Sequence, residues 1–409
     1  MKILQINTWY NVGSTGKLVF DLHKAYLANG FDSYVLYGRG KKETEDSKHI
    51  FKIASSFESK TNSVLSRLSG VMYGGCYFAT KKAFALIKKI NPDVIHIHCT
   101  NSFIINNYKL FNFIGKNNFK VIITLHAEYL YTGSCSHTFE CEQWKTGCKK
   151  CPNLKFATRS LLFDRTRKSW AMMHSALGQI DVDNRKIVAV SEWLKNKASE
   201  SSTFNNDKIE VIHNGIDTSI FKYCPMEKNK FAYLKEKYKT IYLFVTPSLN
   251  TNNGNLKGGD YFVEITKAFK DNKDVGFILA CPAKDKNAIE KNKNVVYLNK
   301  NLNYEELVQL YSVADATLML SRKETFSLVT AESISCGTPV VGFESGGPES
   351  IALSNRAKFF KNGDLKSLIY ELQNLSLTKD FGTDFYKKEK MCNSYIEVCE
   401  KLLKNKYYS

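Results

Sequence analysis

The sequence has no uncharged apolar run of about 18 residues, so no segment is expected to cross a membrane as a helix. Its opening, MKILQINTWY, lacks the apolar core of a secretory signal. Apolar residues alternate there, as in a first β-strand, and a cytoplasmic protein is expected. Acid is scarce: Asp plus Glu number 40 against 58 for Lys plus Arg, a formal net charge of +18. That excess suits anionic partners such as phosphorylated small molecules, polyanions or anionic lipid. The basic residues are nevertheless scattered, as in Lys41-Lys42, Lys81-Lys82, Lys88-Lys89 and Lys387-Lys388. No dense patch for nucleic acid forms, and nucleic acid is not expected as a partner. Cysteines number 11, an odd count that excludes a complete disulfide framework. Dispersed thiols such as Cys99, Cys281 and Cys336 sit in apolar surroundings and read as small core residues.

What the chain does have is alternation over 409 residues, enough for two domains. KILQI, SYVLY, DVIHI, KVIITL, KIVAV and KIEVI, then IYLFVT, VGFILA, NVVYL, ATLML and PVVGF, are short, continuously apolar and rich in β-branched residues. Buried parallel strands have this character. Helical patterns lie between them, for example 17–29, 261–270 and 305–311, so a doubly wound α/β chain is expected. One domain spans 1–214 and a polar, lysine-rich connection 215–239. A second domain covers 240–384, and a C-terminal helix, 385–409, is expected to pack back on the first domain. In such folds ligands lie beyond the carboxyl ends of the strands, and two such domains would face each other across a cleft.

The stretch SRKETFSLVTAES places Glu324 at a strand-to-helix turn and Glu332 inside the following helix. A helix start offers unpaired amides and a positive dipole, which favours phosphate, while carboxylates suit vicinal hydroxyls. Acids on both sides of a phosphate-type helix start therefore suit a sugar nucleotide. From spacing alone, a solvated loop acid and a surface helix acid explain the pattern as well.

The longer stretch SRKETFSLVTAESISCGTPVVGFESGGPESI resembles the C-terminal signature of retaining glycosyltransferases of family four. The resemblance extends over nearly the whole chain, through AVSEWL, VIHNGIDTSIFK and NLKGGDYFVEI. It implies the GT-B fold, two Rossmann-like domains, and transfer of a sugar from a nucleotide-diphosphate sugar. It assigns Glu324 to the donor sugar and Glu332 to the ribose. Thr325, Phe326, Ser327 and Leu328 would hold the diphosphate through their amides, and Lys257 would neutralise it. Relatives commonly have Gly where this chain has Ser327. They often carry an Arg before the lysine, where this chain reads PSLNTNNGN, so Lys300, Arg322 or Lys323 is expected to supply a second cation. In the loop NVGSTGK, which lacks Walker spacing, Gly13 and Gly16 would face the donor. His126, in HAEY where relatives read H-D-x-W, would lie beside the donor sugar, with Glu128 as a displaced acid. His96 and His98 read as ordinary strand histidines. No D-x-D motif stands in a suitable loop, so catalysis is expected to require no cofactor. A glycan acceptor linked to a polyprenyl carrier is implied for a surface-polysaccharide enzyme of the capsule or O-antigen kind. Peripheral contact with the inner membrane face through KNKYYS and the surroundings of Met72 to Tyr77 would follow. A glycoside hydrolase or a non-catalytic nucleotide-sugar or polyanion binder remains as an alternative.

TGSCSHTFECEQWKTGCKKCPNL gathers Cys135, Cys141, Cys148 and Cys151. Four cysteines closing on C-x2-C suggest a structural tetrathiolate zinc site, with His137 as a spare ligand; free thiols, a disulfide or another metal are the alternatives. The insert, 133–153, and the LLFDR that follows resemble a segment of certain capsule and O-antigen transferases.

Overall fold

A computed structural model of the protein describes residues 1–42, 48–282, 292–300 and 302–404. The chain divides into two compact units, Met1–His213 with Glu389–Ser409, and Asn214–Lys388.

In the first unit, seven parallel strands form one sheet among the described residues: β1 (Lys2–Asn7), β2 (Asp32–Tyr37), β3 (Ile50–Lys52), β4 (Val94–Ile97), β5 (Lys120–Leu125), β6 (Arg185–Ala189) and β7 (Ile209–Val211), in the order β3-β2-β1-β4-β5-β6-β7. Every residue of β4 is buried, as are all but the first of β1 and β5. Burial on both faces is why these strands read as unbroken apolar runs. The helix Lys388–Lys404 closes one face, where Met391, Tyr395, Cys399 and Leu402 pack with Ile3, Leu22, Tyr26 and Val188.

In the second unit, β8 (Thr240–Val245), β9 (Val275–Ala280), β10 (Val295–Leu298), β11 (Ala316–Met319), β12 (Val340–Phe343) and β13 (Ala357–Phe360) form a parallel sheet in the order β10-β9-β8-β11-β12-β13. The order reverses between β8 and β11, and ligands in doubly wound sheets gather at such a reversal. Residues 215–239, read from the sequence as a polar connection, belong to this unit. Phe231, Leu234 and Tyr238 are buried, and Lys235 bonds Asp315.

Sequence patterning missed β3 and β13. Both are edge strands; β3 has three residues, and all four residues of β13 are half-buried, so neither shows a continuous apolar run. The surroundings of Met72 to Tyr77 are mostly interior: Met72, Tyr73 and Cys76 are buried and Tyr77 is exposed. Of KNKYYS, residues 405–409 lie outside the described residues.

Candidate functional site

The site of the second unit is built by the loops after β8 and β11, the pair at which the strand order reverses. Lys257 follows β8. Its neighbour Gly258 has φ +71°, and a Cβ there would lie 2.1 Å from the Leu320 carbonyl oxygen at the end of β11. Only glycine lets the two loops press together so closely. The result is an ion pair: Lys257 Nζ lies 2.5 Å from Glu324 Oε1, and the Ser321 hydroxyl donates to the same oxygen at 3.0 Å. The backbone of Glu324 is held as well. Its N–H donates to the Ser345 carbonyl at 3.0 Å, and its carbonyl accepts from Gly347 N at 2.8 Å. Glu349 fixes that facing loop by accepting from the amides of Ser345 at 3.0 Å and Gly346 at 2.6 Å.

Ser327 caps the helix Leu328–Ser335, its Oγ accepting from Thr330 N at 3.2 Å. By position, the amides of Leu328 and Val329 are the helix-start donors that this cap does not reach. Ser327 has φ +81°, a conformation that suits glycine and strains a side chain. Thr325 is half-buried and Phe326 buried. Glu332, also half-buried, accepts from the Tyr311 hydroxyl at 2.8 Å. Burial pushes its carboxyl up to about 7, against the lowering effect of that hydrogen bond.

Two of the three cations expected to assist Lys257 are committed elsewhere. Arg322 makes a two-point ion pair with Asp260, at 2.9 and 2.7 Å, and lies over the Tyr261 ring at 3.9 Å. Lys300 bonds Glu306 at 2.6 Å. Lys323 is half-buried next to Glu324 in the chain.

The remaining expected site residues belong to the first unit. Gly13 opens the helix Gly13–Ala28 with φ +67°, and a Cβ on Gly16 would lie 3.0 Å from Trp9 Cβ, so both glycines set the tight β1-to-helix turn. His126 follows β5 and stands 3.3 Å from His98, which in turn lies 3.2 Å from Gln5 Oε1. Gln5 donates its amide to the Val19 carbonyl at 3.3 Å, leaving its oxygen as acceptor. That oxygen requires the proton of His98 on Nε2. Neutral His98 then accepts at Nδ1, so His126 donates from Nε2 and keeps Nδ1 as its acceptor nitrogen. Burial lowers His126 to about 4, so it works as a neutral ring near pH 7. His96 is buried and bonds the Thr124 hydroxyl at 2.8 Å, a structural role.

Glu128 is placed for support and not for acid chemistry. Fully buried, it accepts from Thr138 N at 3.1 Å and Thr138 Oγ1 at 2.6 Å, and pairs with Lys197 Nζ at 3.1 Å. It thereby ties the cysteine insert to the helix Glu192–Ser199. Cys135, Cys141, Cys148 and Cys151 line one cavity of about 20 Å³, and Gly133 N donates to Cys148 Sγ at 3.0 Å. As placed, no three Cys, His, Asp or Glu side chains among the described residues are disposed to hold a metal ion together. His137 stands apart from the thiol cavity, 3.8 Å from Glu128.

Sequence reading missed three contacts: Lys257 on Glu324, Tyr311 on Glu332 and His98 on His126. The only local trace of them is Gly258, whose glycine follows the lysine in KGG.

Residues 15–220 match the model of Glycosyltransferase Family 4, and residues 234–376 that of Glycosyl transferases group 1. The chain belongs to glycosyltransferase family 4. Among family relatives, the putative colanic acid biosynthesis glycosyl transferase WcaC of Escherichia coli is 22% identical, over 98% of this chain and 100% of the relative. The N-acetyl-alpha-D-glucosaminyl L-malate synthase of Bacillus anthracis is 22% identical over 79% of this chain and 78% of its own. Solved structures carry the same fold. Sucrose-phosphate synthase of Thermosynechococcus elongatus superposes with TM-score 0.68 at 14% identity, covering 99% of this chain and 100% of that one. Anabaena HepE in complex with UDP and glucose gives 0.60 at 14% identity, covering 98% and 99%. The fold of this glycosyltransferase is thus GT-B, with two Rossmann-like units. No helix among the described residues is long and apolar enough to cross a membrane.

Proposed function

We propose that this family-4 glycosyltransferase moves a sugar, with retention of configuration, from a nucleotide-diphosphate sugar to a glycan acceptor carried on a polyprenyl lipid, in surface-polysaccharide synthesis. The donor sugar in this reading is of the hexosyl or N-acetylhexosaminyl class. The observation that carries the reading is the convergence of Lys257 and Glu324 before a helix start that has Glu332 one helix face further on. Glu324 accepts hydroxyls of the donor sugar, and Glu332 accepts the ribose diol. The amides from Thr325 to Leu328 and the Lys257 ammonium take the departing diphosphate, whose growing charge they stabilise without reorganising. The relatives support the biological setting: one is named for colanic acid biosynthesis, and another is a Klebsiella pneumoniae protein of a cps region, 22% identical over 90% of this chain. HepE, which shares the fold, is solved with UDP and with UDP-glucose.

The test is a panel of nucleotide sugars screened by thermal stabilisation, followed by transfer assays with Glu324→Gln. A stabilising donor whose turnover falls about 10²-fold in the variant supports the reading, that being the scale of one lost transition-state contact. Hydrolysis of a simple glycoside without nucleotide would instead favour a hydrolase. Donor binding without transfer would favour a binding protein.

We further propose that the four thiols close on a structural zinc, supported by their convergence on one small cavity. The reading requires the sulfurs to draw inward. Metal analysis of unchelated protein gives about one zinc per chain if it is right, on the stoichiometry of a tetrathiolate site. Absence of zinc would reject it.

A further inference from the structure

The helix Ser56–Ser69 is packed with its polarity reversed. It buries Ser59 and Ser66 and turns Phe57, Val64, Leu65 and Leu68 outward, with exposures of 80%, 56%, 56% and 41%. At 3.6 residues per turn these four lie on one face, beside Lys60 and Arg67. A globular helix normally does the opposite, because exposing that apolar area forgoes its burial.

The face is extended at both ends. At the start of the helix, Glu58 accepts from the amides of Phe78 and Ala79, which brings in exposed Tyr77 and Phe78. At its end, Leu161 N donates to the Arg67 carbonyl at 2.9 Å, which brings in exposed Leu161, Leu162 and Phe163. Phe57, Tyr77 and Phe78 also line a cavity of about 830 Å³ that Lys81, Lys82 and Lys109 share.

Charge distinguishes the occupants. Lys60 and Arg67 flank the face on the helix itself, Lys81 and Lys82 share the cavity lined by Phe57, Tyr77 and Phe78, and Arg165 lies over the Phe163 ring at 5.3 Å, while the carboxylates of these segments are Glu58 and Asp164. Both carboxylates are engaged by backbone amides, Glu58 as above and Asp164 by Cys151 at 2.6 Å. A second copy docked face to face would set this basic rim against itself. An anionic bilayer surface satisfies both parts, taking the apolar side chains below the headgroups and the ammonium and guanidinium groups at their level.

We propose that the helix Ser56–Ser69, with the first turn of the helix Tyr77–Ile90 and the 161–163 loop, is an in-plane docking surface for an anionic membrane. This places the contact on a structured face of the first unit, independent of the acceptor reading. Donor and acceptor take no part in the test, so the two proposals fail separately.

Co-sedimentation with vesicles of phosphatidylcholine containing about 30% phosphatidylglycerol is expected to capture the full chain at low salt and to release it as salt rises. The variant Phe57→Ser/Leu65→Ser/Leu68→Ser should lose on the order of tenfold or more in partitioning. Lys60→Ser with Lys81→Ser should lose roughly fivefold per charge. All five side chains are exposed, so unchanged melting curves will verify folding. Failure of the parent protein to bind vesicles, or equal binding by the serine variant, overturns the proposal. So does a concentration-dependent dimer in sedimentation velocity that the serine variant abolishes, since the face would then belong to a second copy.

Discussion

Glu332→Gln isolates a burial effect that the site carries in its resting state. The change keeps the shape and keeps an acceptor for the Tyr311 hydroxyl, now 2.8 Å from Oε2. What it removes is the proton. Burial lifts the folded-state carboxyl from 4.5 to about 7. A group raised in this way contributes stability that is complete below its unfolded value and lost as pH climbs through its folded one. The loss therefore falls between about pH 4.5 and 7 and is flat above. At 1.36 kcal/mol per pH unit the full effect is about 3 kcal/mol, and the partial solvent access of Glu332 reduces it to roughly 1–2 kcal/mol. For a unit of this size that is about 3–6 °C in Tm. Melting curves of parent and variant from pH 5 to 8 should nearly coincide at pH 5. The parent should fall behind by that margin at pH 7 and above. Parallel curves across the range would refute the assignment of a protonated carboxyl to Glu332. On the proposed ribose contact, the same change should also reduce nucleoside diphosphate affinity above pH 7, where the Glu332 carboxyl of the parent is ionised.

Lys257→Ala should cut kcat/KM by on the order of 10²-fold while changing stability by less than about 1 kcal/mol, because its ion pair with Glu324 is partly solvated. Steady-state kinetics with an unchanged melting curve would check this, and near-parental kcat/KM would count against it. At Ser327, glycine removes a backbone strain of about 1–2 kcal/mol but weakens a cap, whereas alanine keeps the strain and loses the cap. Ser327→Gly should therefore melt above Ser327→Ala, and equal Tm values would show the conformation to be unstrained. Lys197→Met leaves Glu128 buried without its cation and should cost about 3 kcal/mol. Adding Glu128→Gln should restore much of that in thermal melts, and no restoration would mean that Lys197 acts through its stacking on Trp193 and not through its charge.

How much was legible beforehand follows from the range of each interaction. The strands β1, β4, β5, β8 and β11 declared themselves because burial on both faces demands a continuous apolar run. The edge strands β3 and β13 make no such demand and stayed hidden. The cap of Ser327 and the placing of Glu324 and Glu332 around one helix start are local geometry, fixed by rise and turn, so spacing alone could anticipate them. Arg322, a plausible phosphate ligand by position, proved to be held by Asp260, 62 residues away, and no local pattern announces that.

By itself the sequence determined the alternation of buried strands and covering helices, and the helix start at which acids and amides could share one ligand, because both depend on neighbours within a turn or two. Only the tertiary structure decided which side chains meet there. Strand order in a parallel sheet is set by crossovers, and it set β8 beside β11, so that Lys257 reaches Glu324. It also aligned β1, β4 and β5, so that Gln5, His98 and His126 settle one another's protons. The outward apolar face of the helix Ser56–Ser69 belongs to the same class, since a helix's own residues do not say which side the rest of the protein will cover.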